Sequence, residues 1–573
     1  MKNLRLFLWI ALGMILLVNY QTWQLDYAAR DAAAAEAARV AAAANPPPSL
    51  GNAIPQAGAA NAPAAAGATA PVPQAAPTPG AATQPDAAAA AAPALLRVKT
   101  DVLDLDISLV GGELRRADLL QYPVVKGQPE VVRLLRAQGP GDEYVLQSGL
   151  AGAGAVPAGS YPTHVETFTS DFAGFELQDG ADELRVPLKW SSAEGVNVTK
   201  TFVFHRGSYR IDIEYRVDNG SPAAWQVAPY MQILHDMPPV TRSYFNVNSY
   251  AFTGPALWDG GKYQKLKIAS QDDASLNREI TGGWMASLQH HFVAAMVPKT
   301  AERARYTLRV RGNEYLATIV GPTQSIDAGS SHTIGETVFV GPKLQKQLES
   351  IHPELSRAAD YGKLTFLAKP LFWLLQKAHQ LFNNWGLAII AVTFLLKLAF
   401  YPLSEASGRS MAKMKLISPR MKQLQETYKD DREKLGRAMM EMYKKEKINP
   451  ASGCLPMLVQ LPVFLAFYWV LLESVEMRQA PFFGWLQDLS TRDPFFILPL
   501  IMAGAMFLQY KLQPTPADPV QAKVFMILPL VMSVTFAFFP SGLVLYWVTN
   551  TILTIAQQWN INRRIEASNA RRN

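Results

Sequence analysis

"NWGLAIIAVTFLLKLAFYPLS", residues 384–404, places a single cation, Lys397, in a run that otherwise suits the interior of a lipid bilayer. A helix needs about 20 apolar residues to span a hydrocarbon core of about 30 Å, so the apolar part, 386–403, is short for a crossing. An ionised lysine at the centre of such a helix costs about 2.5–3.5 kcal/mol on insertion scales. Two readings stand. Either Lys397 extends its stem to carry the ammonium to the nearer interface, or it lies at the bottom of a water-filled recess facing other helices. Counting 1.5 Å per residue from Trp385 sets it roughly 18 Å into the core, and Thr393 at i−4 shares its face.

Four more runs of this kind follow, near 455–472, 495–510, 524–539 and 543–559. They carry Gln460, Gln509, Thr535, Thr549, Asn550, Gln557 and Gln558 at membrane depth, residue types that commonly bond from helix to helix. No carboxylate lies deep in a run, since Glu473 stands at an end, so the usual ligands of a proton relay or cation pathway are missing. No Ser/His or paired-acid constellation points to an intramembrane hydrolase. The single cysteine, Cys454, excludes an intrachain disulfide and a cysteine zinc site, and no HExxH, Walker or GxGxxG pattern stands out. No metal or cofactor site is expected from these residues. With 49% hydrophobic and 18% charged residues among 573, it reads as a multi-domain membrane protein.

The rest of the chain falls into segments. Residues 1–24 set Lys2 and Arg5 before an apolar stretch from Leu6 to Val18, with Tyr20 and Trp23 suited to the outer interface. This reads as an uncleaved signal acting as an N-terminal transmembrane anchor, a cleaved signal peptide being the alternative. Residues 25–96 are Ala/Pro-rich and hold too little large apolar surface to offset the entropy of ordering, which predicts a disordered linker. From 97 to 342 the apolar period is two, as in "VNVTKTFVFHRGSYRIDIEYRVDNG" (196–220), with turn signals at His205-Arg206-Gly207, Asp218-Asn219-Gly220 and Gly312-Asn313. That predicts a large antiparallel β-sandwich outside the membrane. Residues 343–384 mix Lys363, Lys369 and Lys377 with leucines and phenylalanines, the pattern of an amphipathic helix lying in the interface.

Residues 385–562 form a five-helix transmembrane core that includes a helical hairpin at 405–447, and 563–573 is a basic tail. The hairpin carries 12 Lys/Arg against 7 Asp/Glu, residues 561–573 four Arg against one Glu, and the loop 474–496 two Arg against three acids. By the positive-inside rule the hairpin and both termini are cytoplasmic, and residues 25–384 lie outside or at the outer interface. In the hairpin, Met414, Ile417, Met421, Leu424 and Tyr428, then Leu435, Met439 and Met442, recur at three-four spacing. This seam either packs on itself or offers methionines to varied apolar segments.

With "SMAKMKLISPRM" (410–421), "NPASGCLPMLVQLPVFLAFYWVLLESVEMRQAPF" (449–482), "WLQDLSTRDPFFILP" (485–499) and "FPSGLVLYWVTN" (539–550), the opening stretch resembles the YidC/Oxa family of membrane protein insertases. The resemblance is strong over 345–573 and follows the layout of Gram-negative members upstream. It implies an insertase and chaperone of the bacterial inner membrane, with no chemical reaction and no small-molecule substrate, and with a hydrophilic groove open to cytoplasm and lipid, closed toward the periplasm, and bearing a cation. The family's usual residue there is arginine, and Lys397 keeps the charge without the bidentate fork. Thr393 and Trp547 match groove positions near the cation, Trp547 standing where the family often has tyrosine. Gln460 and Cys454 fall on the helix along which nascent segments slide.

The resemblance further implies nascent membrane proteins as clients, the Sec translocon as partner, and a mutarotase-like supersandwich as the periplasmic domain. Met411, Lys413, Met414, Lys415, Arg563 and Arg564 would receive the ribosome or the signal recognition particle pathway. Two other functions compete. A small-anion carrier would use Lys397 as its binding charge, against which no repeat and no Gly-interrupted helix pair is evident. A periplasmic carbohydrate-binding protein would use aromatic platforms such as Trp225 and Trp258.

Overall fold

The computed structural model describes residues 50–56, 94–139, 141–152, 159–237, 251–299, 301–428, 431–446, 455–512 and 519–570. The expected anchor at 1–24 and Cys454 lie outside them. Apart from residues 242–251, the chain divides into a β unit that ends at Ala358 and a helical unit that begins at Ala359.

The alternating runs become the two sheets of a sandwich, one of eleven strands and one of eight. Pairing is antiparallel throughout except between Leu95–Lys99 and Gly174–Glu176. The turn signals work as read: Gly312-Asn313 joins Arg303–Arg311 to Glu314–Val320, and Gly312 takes a φ of 59° that a side chain disfavours. Side chains bridge the sheets, with Tyr144 donating to the Ser287 carbonyl at 3.2 Å. Lys200 is wholly buried between the sheets, and its ammonium donates to the carbonyls of Gly111, Gly112 and Ser148 at 2.9, 3.1 and 2.8 Å. A buried ammonium persists only when its donors are met, and these three acceptors match its three protons.

Two sequence expectations are corrected here. The linker 25–96 is not featureless, because Leu50–Asn52 forms a 3₁₀ turn whose Leu50 is buried against Val145, Leu234 and Leu316. The stretch 343–384 is not one element, because helix Gln345–Ile351 and turn Leu355–Ala358 belong to the β unit. Arg357 in that turn lies 5.0 Å from the ring centre of Trp258, and Trp225 stacks on Tyr161 at 4.9 Å. Both indoles are buried, so neither is an open platform for a sugar.

The helical unit contains α1 (Thr365–Phe382), α2 (Trp385–Ala399), α3 (Tyr401–Thr427), α4 (Arg432–Lys445), α5 (Leu455–Glu473), α6 (Ile497–Leu512), α7 (Pro519–Phe536) and α8 (Ser541–Ala570). Helix α1 buries Ala368, Leu371, Phe372 and Leu375 in the unit's core and exposes Phe366, Trp373 and Leu381 on its other side. It ends at Asn383, in the left-handed conformation at φ 49°, and Asn384 then caps α2 by accepting from the Leu387 amide at 3.0 Å. The expected run 386–403 is broken rather than continuous. It stops at Phe400, and Pro402 sits in the first turn of α3, where its missing N–H does no harm.

Among the described residues no single helix is long and apolar enough to cross a membrane, whereas Trp385–Ala399 and Tyr401–Ser410 meet that test together as a pair bent by 62°. The hairpin of α3 and α4 closes its seam on itself: Ile417 and Met421 are buried against Met439, Met442 and Tyr443. An Arg420–Glu446 ion pair at 2.8 Å ties the two helices together.

Candidate functional site

Lys397 occupies the last turn of α2, just before the break, and is half-buried. Around it lies an open recess walled by α2 (Thr393), the break (Phe400), α3 (Ser404), α5 (Gln460) and α8 (Tyr546, Asn550). The break makes this possible, since a straight helix would carry residues 400–404 onward along the α2 axis.

The Lys397 ammonium donates to Thr554 Oγ1 at 2.8 Å, and Thr554 donates in turn to the Asn550 carbonyl at 2.6 Å. Gln460 Nε2 donates to Asn550 Oδ1 at 2.5 Å, joining α5 to α8. Among the described residues Lys397 forms no ion pair and no carboxylate lines the recess. The nearest acid along the chain, Glu405, is paired with Arg409 at 2.7 Å. In the recess the Lys397 amine thus has a neutral hydroxyl as its hydrogen-bond partner.

Thr393 is buried in the recess wall, and its hydroxyl donates to the Ile389 carbonyl of its own helix at 2.6 Å. Trp547, expected near Lys397, is not among the residues that wall the recess. It packs against Phe464 and Phe536 at ring separations of 5.1 and 5.5 Å, while the preceding Tyr546 lines the recess. One residue on a helix turns the side chain by about 100°, which suffices to move it off the wall. Thr554 was missed by sequence reasoning, although Tyr546, Asn550 and Thr554 recur at i, i+4 and i+8 on one face of α8.

Away from Lys397, loops and helix ends of the unit are held together by side-chain contacts. Tyr361 OH and Ser474 Oγ lie 3.2 Å apart, the Ser541 hydroxyl donates to the Asp488 carbonyl at 2.8 Å, and Asp493 accepts from the Leu498 amide at 2.7 Å. A Cβ on Gly386 would fall 2.0 Å from the Phe482 ring, so the loop after α5 packs directly on the start of α2.

Of the hairpin and tail residues, Lys413 is exposed and Met414 half-buried, whereas the side chains of Met411 and Lys415 lie outside the described residues. Arg563 and Arg564 are exposed, Arg563 with its guanidinium 5.5 Å from the Trp559 ring. Arg437 pairs with Glu433 and Lys434 with Asp431, so part of the hairpin's basic charge is neutralised locally.

Comparison with known proteins covers nearly all of this. Residues 95–374 match the YidC periplasmic domain family and residues 377–569 match the 60Kd inner membrane protein family. The chain is 48% identical to the membrane protein insertase YidC of Methylococcus capsulatus over 479 residues, 83% of this chain and 87% of that one. Identity to the YidC of Thioalkalivibrio sulfidiphilus is 44% over 99% of both chains, and to that of Pseudomonas aeruginosa 46% over 83% and 86%. A crystal structure of an active YidC insertase covers 80% of this chain and 90% of its own at 19% identity with a TM-score of 0.36. Matched from its first described strand almost to its last described helix, and at these identities to full-length relatives, the chain belongs to the YidC family of membrane protein insertases.

Proposed function

We propose that the chain inserts nascent inner-membrane proteins into the bilayer, and helps them fold, by lending them the recess around Lys397. The observation that carries this reading is a half-buried ammonium with a neutral hydroxyl as its partner and no acid on the recess wall. The recess shortens the apolar distance a polar tail must cross. Helix α2 has 15 residues, roughly 22 Å of rise against a hydrocarbon core of about 30 Å, so lipid beside it thins. Lys397 transiently attracts acidic groups of the tail, in a site where Coulomb attraction is stronger than in water. Lysine is a point charge, so it holds an acid less rigidly than arginine's fork, which suits transient capture. The client's apolar span then partitions into lipid, and that burial drives the tail outward. No covalent step and no nucleotide is required.

In this reading the anchor 1–24 enters from the cytoplasm and α2 to α8 supply five crossings. The sandwich is periplasmic, both termini are cytoplasmic, and the end around Tyr361, Ser474 and Gly386 faces outward. Gln460 and Thr393 wall the path, with Asn550 and Thr554 added to them. The hairpin, through Lys413 and Met414 with Met411 and Lys415, and the tail through Arg563 and Arg564, receives the ribosome and signal recognition particle pathway, and the Sec translocon shares clients. The test is depletion of the protein followed by pulse-labelling and protease accessibility of small single- and double-spanning proteins. They are expected to remain uninserted, with Lys397→Arg restoring insertion and Lys397→Ala restoring it several-fold less for clients with acidic tails. Normal insertion under depletion would overturn the reading.

A further inference from the structure

Three adjacent strands of the eleven-stranded sheet, Glu143–Gly152, Trp225–Asp236 and Glu314–Val320, align their side chains in rungs. Register pairs Leu234 with both Val145 and Leu316, and Gln232 with both Gln147 and Thr318, so an apolar rung and an amide rung lie two residues apart on one face. Leu50 covers the apolar rung and is only 9% exposed. Across the amide rung each group donates to the next. Thr318 Oγ1 reaches Gln232 Oε1 at 3.5 Å, Gln232 Nε2 reaches Gln147 Oε1 at 2.5 Å, and Gln147 Nε2 reaches the Gly51 carbonyl at 3.3 Å. That carbonyl is met a second time by His164 Nε2 at 2.8 Å. Burial keeps His164 neutral. Its Nε2 faces an acceptor and therefore carries the proton, while Nδ1 takes the Tyr230 hydroxyl at 2.7 Å. Gln147, Gln232 and His164 are all nearly inaccessible to water, so their alignment on one carbonyl belongs to the built interior and not to the surface.

We propose that the face formed by Val145, Leu234, Leu316, Gln147 and His164 is a binding site for one apolar side chain followed by a backbone carbonyl, and that residues 50–56 of the chain's own linker are its resident ligand, fastening the linker to the β unit a second time. The docking stands apart from the membrane reading. If the anchor 1–24 holds as well, about 25 residues instead of about 70 join it to the sandwich, and their greatest reach falls from roughly 250 Å to roughly 90 Å. The length of 57–93 then no longer sets how far the sandwich travels from the anchor.

The test uses the full chain in detergent with Cys454→Ser, carrying Leu50→Cys or Ile54→Cys, and a bulky water-soluble maleimide. Ile54 is 45% exposed, so the Ile54→Cys thiol is expected to react at least tenfold faster than the Leu50→Cys thiol. Adding Gln147→Leu, with an unchanged circular dichroism spectrum, is expected to bring the Leu50→Cys rate up several-fold. Independently, the Leu50→Cys/Leu316→Cys pair is expected to cross-link under mild oxidation at least tenfold faster than Leu50→Cys/Val125→Cys. Equal labelling at positions 50 and 54, indifference of the Leu50→Cys rate to Gln147→Leu, or equal cross-linking of the two pairs would each overturn the proposal.

Discussion

Lys397 and Thr554 are joined across α2 and α8 by one hydrogen bond of 2.8 Å, and that hydroxyl is itself anchored to the Asn550 carbonyl. A hydroxyl orients an ammonium without cancelling its charge. Charge reversal is therefore the sharpest test. Lys397→Glu is expected to impair insertion of a client with an acidic tail by roughly tenfold, about 1.4 kcal/mol of lost attraction. A client whose tail acids are changed to lysine should regain insertion with Lys397→Glu. Both are read by protease protection after pulse-labelling, and a variant equally slow on both clients would argue against a role for charge.

Thr554→Val keeps the shape of the side chain and removes the acceptor. Loss of this half-buried hydrogen bond is expected to destabilise the helical unit by about 0.5–1.5 kcal/mol. Thermal unfolding in detergent checks this, and Thr554→Ser should stay near the parent.

Gly386 is a steric prediction. Since a Cβ there would lie 2.0 Å from the Phe482 ring, Gly386→Ala is expected to cost about 1–3 kcal/mol through overpacking. Phe482→Ala should suppress that cost in the double variant, and additive losses in thermal unfolding would contradict the contact.

In the sandwich, Lys200→Met would strand the carbonyls of Gly111, Gly112 and Ser148. Leaving a buried acceptor unsatisfied costs about 1–3 kcal/mol, so the urea midpoint of the β signal in circular dichroism should fall.

His164 and His235 give a pH dependence. Burial lowers His164 to about 4 and His235 to about 3, so each ring stays neutral in the fold while the unfolded chain takes up its proton near 6.5. The stabilisation from a neutral ring is complete above about 6.5 and is lost as pH falls through that window. The stability gap between the parent and His164→Gln should therefore shrink between pH 6.5 and 4, by up to about 1.4 kcal/mol per unit. A gap that stays constant with pH in urea unfolding would rule out the buried neutral ring.

Much of this protein is legible in its residues because period-two alternation and long apolar runs are strong physical signals. Strand runs such as 196–220 and the hairpin seam from Met414 to Met442 need only local pattern. Lys397 was conspicuous because its cost in an apolar run is large. Its partner was not, because a threonine in a helix is ordinary until α2 and α8 are placed side by side. Whether Tyr546 or Trp547 meets the recess likewise turns on one residue of helical phase, which local pattern does not fix. Leu50 escaped composition altogether, since one leucine and one carbonyl among alanines and prolines suffice when a matching face already exists elsewhere in the chain.

The 62° bend between α2 and α3 has a consequence for the recess. Thr393 reaches its wall from one side of the bend and Ser404 from the other, so the recess is a corner in the chain and not a gap between straight rods.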